Sequence, residues 1–462
     1  MSERGTTVEP GEESRPPLFS RALETYATNL AAAVLSFGNV LVVARALGAS
    51  GRGDVAFLTT IGYLLGSAAA LGIEQANANV AGREPARRPQ LATNSVLLAA
   101  LFGAGAAGLA GAVMAAFPAV GGETSVGLRV LVLVFVPLLV LQIYLQLLLQ
   151  AEYAFRLTNA TWLLPPLVNV AVNGILAAAG ALSVTAAVAT WLAGQALGVA
   201  VLAWYALRRS AGFGRPDPAL ARRSLAFGVK AHAGRVLTLG NYRIDQWILG
   251  AVAGSRELGH YSVAVVWAEV LFYLPTALTL VQRPDLVRAE RGEAARLAAL
   301  GVRAALLVTL VGAALIVLLA PVLVVVAFGD EFRPAVDDLR VLAPGAVGIV
   351  LLKLLGNALT AQGRPLVAAG SVAVAFAVTL ALDAVLIPDH GGLGAAVAAT
   401  IAYTAGGAAV AVAFARTLGG RLPDLLPRGS EARWLWRRLR RRERGPRVEP
   451  DAVASPPGGL DL

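Results

Sequence analysis

The sequence predicts an all-α polytopic membrane protein: twelve transmembrane helices in two parallel six-helix lobes, with both termini in the cytoplasm. Three observations lead there. Of 462 residues, 57% are hydrophobic and only 15% charged, with a mean hydropathy of +0.67, which is more apolar side chain than a soluble domain can cover. Arg, Pro and Gly clusters cut the chain into twelve apolar stretches, each near the roughly 20 residues that cross a bilayer. Segments of the first half also recur in the second at a nearly constant offset.

In chain order, residues 1–20 are polar and proline-containing and lack the charged tip and short apolar core of a cleavable signal; they read as a disordered cytoplasmic tail. The apolar segments fall near 22–46, 54–80, 91–118, 125–150, 157–180, 183–208, 224–250, 259–282, 296–327, 337–362, 366–387 and 392–416. The first lobe is therefore 21–208, a cytoplasmic linker 209–223, the second lobe 224–418 and a basic cytoplasmic tail 419–462. With the amino terminus inside, the inner connections hold fourteen arginines and the outer ones six, the bias expected of cytoplasmic loops. Pro137, Pro165, Pro166, Pro275 and Pro344 interrupt helical segments and are bending points or simple kinks. The tail carries eleven arginines from Arg416 to Arg447, with Trp434 and Trp436 among them. It suits anionic lipid headgroups, or it serves only to fix topology.

Several function classes drop out. The chain has no cysteine, so disulfides, thiol catalysis and cysteine-metal ligation are excluded. It has no GxxxxGK[ST] loop, no HExxH, no DxD triplet and three scattered histidines, so no P-loop hydrolysis, cofactor or metal site is expected and the chain does not read as an enzyme. No connection is long enough to fold as an extramembrane domain, which argues against a membrane glycan polymerase or ligase. The basic tail of a membrane-embedded chain is expected to meet lipid, not nucleic acid.

The repeat is carried by order and spacing. Gly48, Ala49 and Gly53 match Gly254, Ser255 and Gly259 at an offset of 206. VNGILAAAGALSVTAAVAT matches LDAVLIPDHGGLGAAVAAT at 210, which places Asn173 over Asp383, and Leu128-Arg129-Val130 recurs as Leu339-Arg340-Val341 at 211. Two copies of six helices enter the membrane from the same side, so the repeats are parallel, with a cleft between them and alternating access by rocking as the natural motion.

The stretch from Phe227 to Tyr261 opens the second copy and is long enough to cross a bilayer, yet it carries Lys230, His232, Arg235, Arg243 and Asp245. Each charge near the centre of such a helix costs roughly 2.5 to 3.5 kcal/mol on insertion scales.

ARALGASGRGDVAF, QAEYAFRLTNA, NYRIDQWILGAVAGSRELGHYSVA, FGDEFRPAVDDLRVLAPG and NALTAQGRPLVAAG together resemble the Wzx-like polysaccharide and oligosaccharide flippases of the multidrug/oligosaccharidyl-lipid/polysaccharide exporter superfamily. The resemblance covers about residues 20 to 418. It implies a V-shaped twelve-helix transporter of the bacterial plasma membrane that moves a polyprenyl-diphosphate-linked glycan to the outer leaflet by alternating access for cell-surface polysaccharide assembly. Glycosyltransferases or a glycan polymerase are then its expected partners. An ion-coupled exporter of drugs or organic cations shares the fold and is the first alternative; a glycan polymerase or ligase is the second.

On that reading Lys230, Arg235 and Arg243 form a ladder of cations at successive depths, suited to phosphate because guanidinium offers it a bidentate fork. For Lys230 the stronger reading is that its long stem snorkels to the inner interface. Asp245 is expected to pair with an arginine or hydrogen-bond, with a protonatable coupling site as the alternative. Asn29 and Asn39 lie on the counterpart first helix, Asn39 in the slot of Asp245. Glu74 and Asn77 at i+3 spacing, Glu269 and His232 are candidates for ion or gating roles, and Glu269 and Lys353 are expected to face protein or water.

Overall fold

The computed structural model describes residues 18–208 and 212–427. The expected tail over residues 1–17, part of the linker and the Trp/Arg-rich segment from Arg428 onward lie outside the described residues.

Among the described residues twelve α-helices follow in order: α1 (Leu18–Ala69), α2 (Ile73–Arg83), α3 (Arg88–Ala116), α4 (Val126–Ala151), α5 (Phe155–Ala178), α6 (Val184–Arg208), α7 (Pro218–Val252), α8 (Gly254–Glu269), α9 (Tyr273–Arg288), α10 (Arg291–Phe328), α11 (Ala335–Ala361) and α12 (Pro365–Leu418). The same residues contain no strand. Nine of their helical stretches are long and apolar enough to cross a membrane, α8 and α9 counting together as one of them. α7 is not among the nine: its charges lower its hydropathy below that of its neighbours.

α1 and α12 run for 52 and 54 residues, about 80 Å at 1.5 Å per residue, far more than one crossing needs. Each is broken at one glycine in the positive-φ region, Gly48 (φ 68°) and Gly391 (φ 53°). Those breaks belong to a pattern. Positive φ occurs at Gly48, Gly122, Tyr153, Gly180 and Gly212, and again at Gly254, Gly329, Gly363, Gly391 and Gly419, with spacings of 206 to 211 residues, the range of the repeat offset; Leu71 and Gly72 also have positive φ, without counterparts in the second half. Backbone that glycine adopts most readily thus recurs in register in both halves, with Tyr153 standing where the second half has Gly363.

Packing follows the same plan. Parallel pairs join α1 to α5, through Thr25–Asn159, Gly38–Val170 and Asn39–Asn173, and α7 to the first part of α12, through Gly234–Ala369, Gly240–Phe376 and Asn241–Thr379. Leu58, Val132 and Val188 centre one core cluster of the first half. A larger cluster runs from Leu258 through Leu342 and Leu355 to Phe414 in the second and takes in Ala49, Phe57 and Ile61 of α1.

Candidate functional site

The two halves meet along the part of α1 after Gly48, and the seam is made by the repeat motif itself. A Cβ on Gly53 would overlap the Ser255 carbonyl oxygen, and one on Gly259 would overlap that of Ala49. The copies Ala49-xxx-Gly53 and Ser255-xxx-Gly259 therefore pack backbone to backbone, as small-residue pairs let membrane helices do. Around this contact Ser255 Oγ donates to Asp54, and the Ser255 amide to Glu123 Oε2 at 3.1 Å. The Ala49 amide donates to Glu331 Oε1 at 3.0 Å, and Arg45 donates to the carbonyls of Ala327 and Val326 at 2.6 and 2.8 Å.

α7 runs antiparallel to α1 from this seam. Phe57 lies against Gly250, Thr60 Oγ1 donates to Gln246 at 3.5 Å, His232 Nε2 is 3.0 Å from the Ala68 carbonyl, and Gly72 (φ 70°) touches the Gly228 backbone. Asp217 caps α7 by accepting from the Leu220 amide at 2.9 Å, and it is tied to the first half by Arg87 at 2.7 Å and by Asn94. The helix that opens the second copy is thus held against the first half at its start and along its length.

This placement distributes the expected site residues. Arg235 donates to Glu74 Oε1 at 2.7 Å, joining α7 to α2; the Glu74 side chain is fully buried and its Oε2 has no partner among the described residues. Close by, Ser224 donates to Asn77 at 3.1 Å, and Asn77 to Ser95 at 3.0 Å. Arg243 forks onto Glu269 at 2.7 and 3.3 Å, joining α7 to α8. Lys230 is exposed and Asn29 half-buried. Two of the three expected cations in the ladder therefore already hold carboxylates, Glu74 and Glu269.

Asp245 and Asn39 occupy matching places. Asn173 Nδ2 donates to Asn39 Oδ1 at 2.8 Å between α1 and α5. In the second half Thr379 donates to Asn241 at 3.0 Å; because α7 and α12 are parallel here, Asp245 and Asp383 follow one turn further on each helix and oppose one another. Tyr261 donates to Asp245 Oδ2 at 2.5 Å and the Gln246 amide to Oδ1 at 2.8 Å. Asp383 is fully buried, and neither of its oxygens has a hydrogen-bond partner among the described residues. Where the first half has a bonded Asn pair, the second has two buried carboxyls. A proton or a monovalent cation between them would satisfy both.

The second half also forms an open pocket of about 430 Å³ between α7, α9, α11 and α12. Thr238, Asn241, Tyr242, Thr276, Arg283 and Lys353 are among the residues on its wall. Lys353 Nζ donates to Thr276 Oγ1 at 2.6 Å and lies 5.7 and 6.0 Å from the ring centroids of Phe272 and Tyr242. Arg283 and Asp383 were not singled out as site residues by the sequence. Asp383 had a signal all the same, since the repeat aligns it with Asn173 and Asp245 with Asn39. For Arg283, counted only among basic loop residues, no local pattern exists.

A family model described as "Polysaccharide biosynthesis protein" matches residues 42–337. The fold is similar to that of the lipid II flippase MurJ in an inward closed conformation, with a TM-score of 0.69 and 11% identity over 87% of this chain and 89% of that one. It is also similar to an inward-facing multidrug resistance MATE family transporter of the MOP superfamily, with a TM-score of 0.65 and 14% identity over 93% and 100%. A third likeness is to a MOP superfamily transporter from Pyrococcus furiosus Vc1 whose binding pocket is described as having reverse polarity, with a TM-score of 0.59 and 14% identity over 91% and 94%. No curated protein matches the chain in sequence.

Proposed function

This chain belongs to the polysaccharide biosynthesis protein family, and we propose that it is a flippase that carries a polyprenyl-diphosphate-linked oligosaccharide from the cytoplasmic to the outer leaflet by alternating access. The observation that carries the reading is Arg235. It is a cation inside a membrane-length helix whose carboxylate partner, Glu74, sits on the opposite half of the chain at 2.7 Å. A phosphate that takes Glu74's place on the guanidinium supplies the same charge-assisted hydrogen bonds and removes a tie between the halves. Substrate entry and movement are then one event, as differential binding to two states requires.

The architecture behind this proposal is twelve crossings in two parallel lobes with both termini inside. The breaks at Gly48 and Gly391 divide α1 and α12 into two crossings each, α8 and α9 together form one, and α7 is the remaining one. The recurrence of positive-φ residues at the repeat spacing supports two like bodies, and the seam at Gly53 and Gly259 closes one mouth between them. The coupling step belongs to Asp245 and Asp383. Loading one proton or monovalent cation leaves the pair a single negative charge to share and releasing it leaves two opposed carboxylates, so occupancy biases the packing of α7 on α12.

The test is depletion of the protein in its native cell, with lipid-linked glycans quantified by leaflet. Accumulation of glycan intermediates facing the cytoplasm is expected. Unchanged glycans together with hypersensitivity to cationic drugs would contradict the reading and favour a drug exporter.

A further inference from the structure

We propose that the pocket of the second half is the first seat of the substrate's diphosphate, occupied before Arg235 is engaged, with Lys353 and Arg283 as its two cationic contacts; this rests on the flippase reading and assigns its head-group entry site. Charge balance is the first support. Arg235 and Arg243 each have a carboxylate at 2.7 Å. Lys353 and Arg283 have none within 4.0 Å among the described residues; Lys353 holds a hydroxyl, and Arg283 donates to the Asn357 amide oxygen at 3.4 Å. Lys353 is half-buried and Arg283 exposed; a half-buried cation in an apolar helix is costly to leave unpaired, and Glu269, beyond ion-pair distance, offsets the charge of Lys353 only in part, which leaves room for an anion from outside the chain.

The cavity's size and lining narrow what that charge belongs to. Its volume of about 430 Å³ suits a head group, not a whole oligosaccharide with its lipid, and it offers amide and hydroxyl groups beside the cations. Thr276 and Arg283 are seven residues apart on α9, and their partners Lys353 and Asn357 four apart on α11. At 1.5 Å per residue the two cations sit roughly 6 to 10 Å apart along the helices. Two linked phosphates fit that spacing with a charge-assisted hydrogen bond of about 2.8 Å at each end. The absence of a built-in carboxylate also explains why this pair is available at once, whereas Arg235 first has to give up Glu74.

The probe is farnesyl diphosphate, with inorganic pyrophosphate beside it, titrated calorimetrically into the full chain in detergent. Both are expected to bind, and Lys353→Met and Arg283→Gln are each expected to weaken binding by about tenfold or more, the weight of one charge-assisted contact. Lys353→Arg should restore most of it. Met and Arg at position 353 keep the side chain's length, and unchanged melting of the variants shows that the fold is intact. Wild-type affinity in Lys353→Met and Arg283→Gln would overturn the proposal, as would equal competition by phosphatidylglycerol, which would make the cavity a site for ordinary lipid headgroups. Failure here is distinct from failure of the flippase reading. Normal glycan flipping by Lys353→Met removes this site and leaves the function, while Lys353-dependent diphosphate binding in a protein that does not flip removes the function and leaves the site.

Discussion

Gly53→Ala adds one methyl group at the tightest point between the halves. The new Cβ would stand 2.6 Å from the Ser255 carbonyl carbon and 3.0 Å from the Gly259 amide nitrogen, and would overlap the Ser255 oxygen. These are backbone atoms at a helix start, so no side chain can swing aside and the seam has to open by about an ångström or more to relieve the overlap. Overpacking of this kind costs typically about 1 to 3 kcal/mol. Only the state with the seam closed bears that cost, so the balance between states shifts by roughly 5- to 150-fold against it. The chain has no cysteine, which makes a direct assay possible. Ser255→Cys, at a position 5% exposed, is placed both in the wild-type chain and in the Gly53→Ala variant and challenged with a membrane-impermeant thiol reagent. Little labelling is expected in the wild-type background and rapid labelling in the variant, accompanied by slower transport. Equal labelling and wild-type transport in the two backgrounds would refute the reasoning that this seam is a closed gate.

Removing Arg235 strands a buried carboxylate. Arg235→Gln should destabilise the protein by about 3 kcal/mol, the lower end for a broken buried pair because the arginine is 37% exposed, and Glu74→Gln in the same chain should recover most of it; thermal melting in detergent decides, and independent effects would count against the pairing. Asp383→Asn should leave the fold intact and make transport insensitive to an imposed proton or sodium gradient, measured in vesicles; retained sensitivity would take the coupling role from the acid pair. Asn173→Leu breaks the bond to Asn39 and should cost about 1 kcal/mol with coupling unchanged, since the first-half pair carries no charge; lost coupling would mean that the two halves do not divide these tasks.

Much of the fold was written locally. Helix lengths follow from apolar runs between Arg, Pro and Gly clusters, and the repeat was visible because Gly48, Ala49 and Gly53 have counterparts at a fixed distance. That those two motifs touch each other was not visible, because a repeat says that two pieces are alike and not that they meet. The ladder on α7 illustrates the same limit. Arg235 and Arg243 were legible as costly charges, but their partners Glu74 and Glu269 lie 161 and 26 residues away, and helix packing alone selects them. Lys353 stood out for the same reason of cost. Its pocket did not, since it forms only where α7 and α9 pack against α11 and α12.

Flipping itself is the most direct measurement. The purified chain is reconstituted into sealed vesicles containing a fluorescent polyprenyl-diphosphate-linked oligosaccharide, and the fraction exposed on the outer face is followed with a membrane-impermeant quencher. Protein-dependent exchange between leaflets is expected, slowed by Gly53→Ala and by Lys353→Met. Vesicles in which the wild-type protein moves this lipid no faster than protein-free controls, under either an imposed proton or sodium gradient, would contradict a flippase.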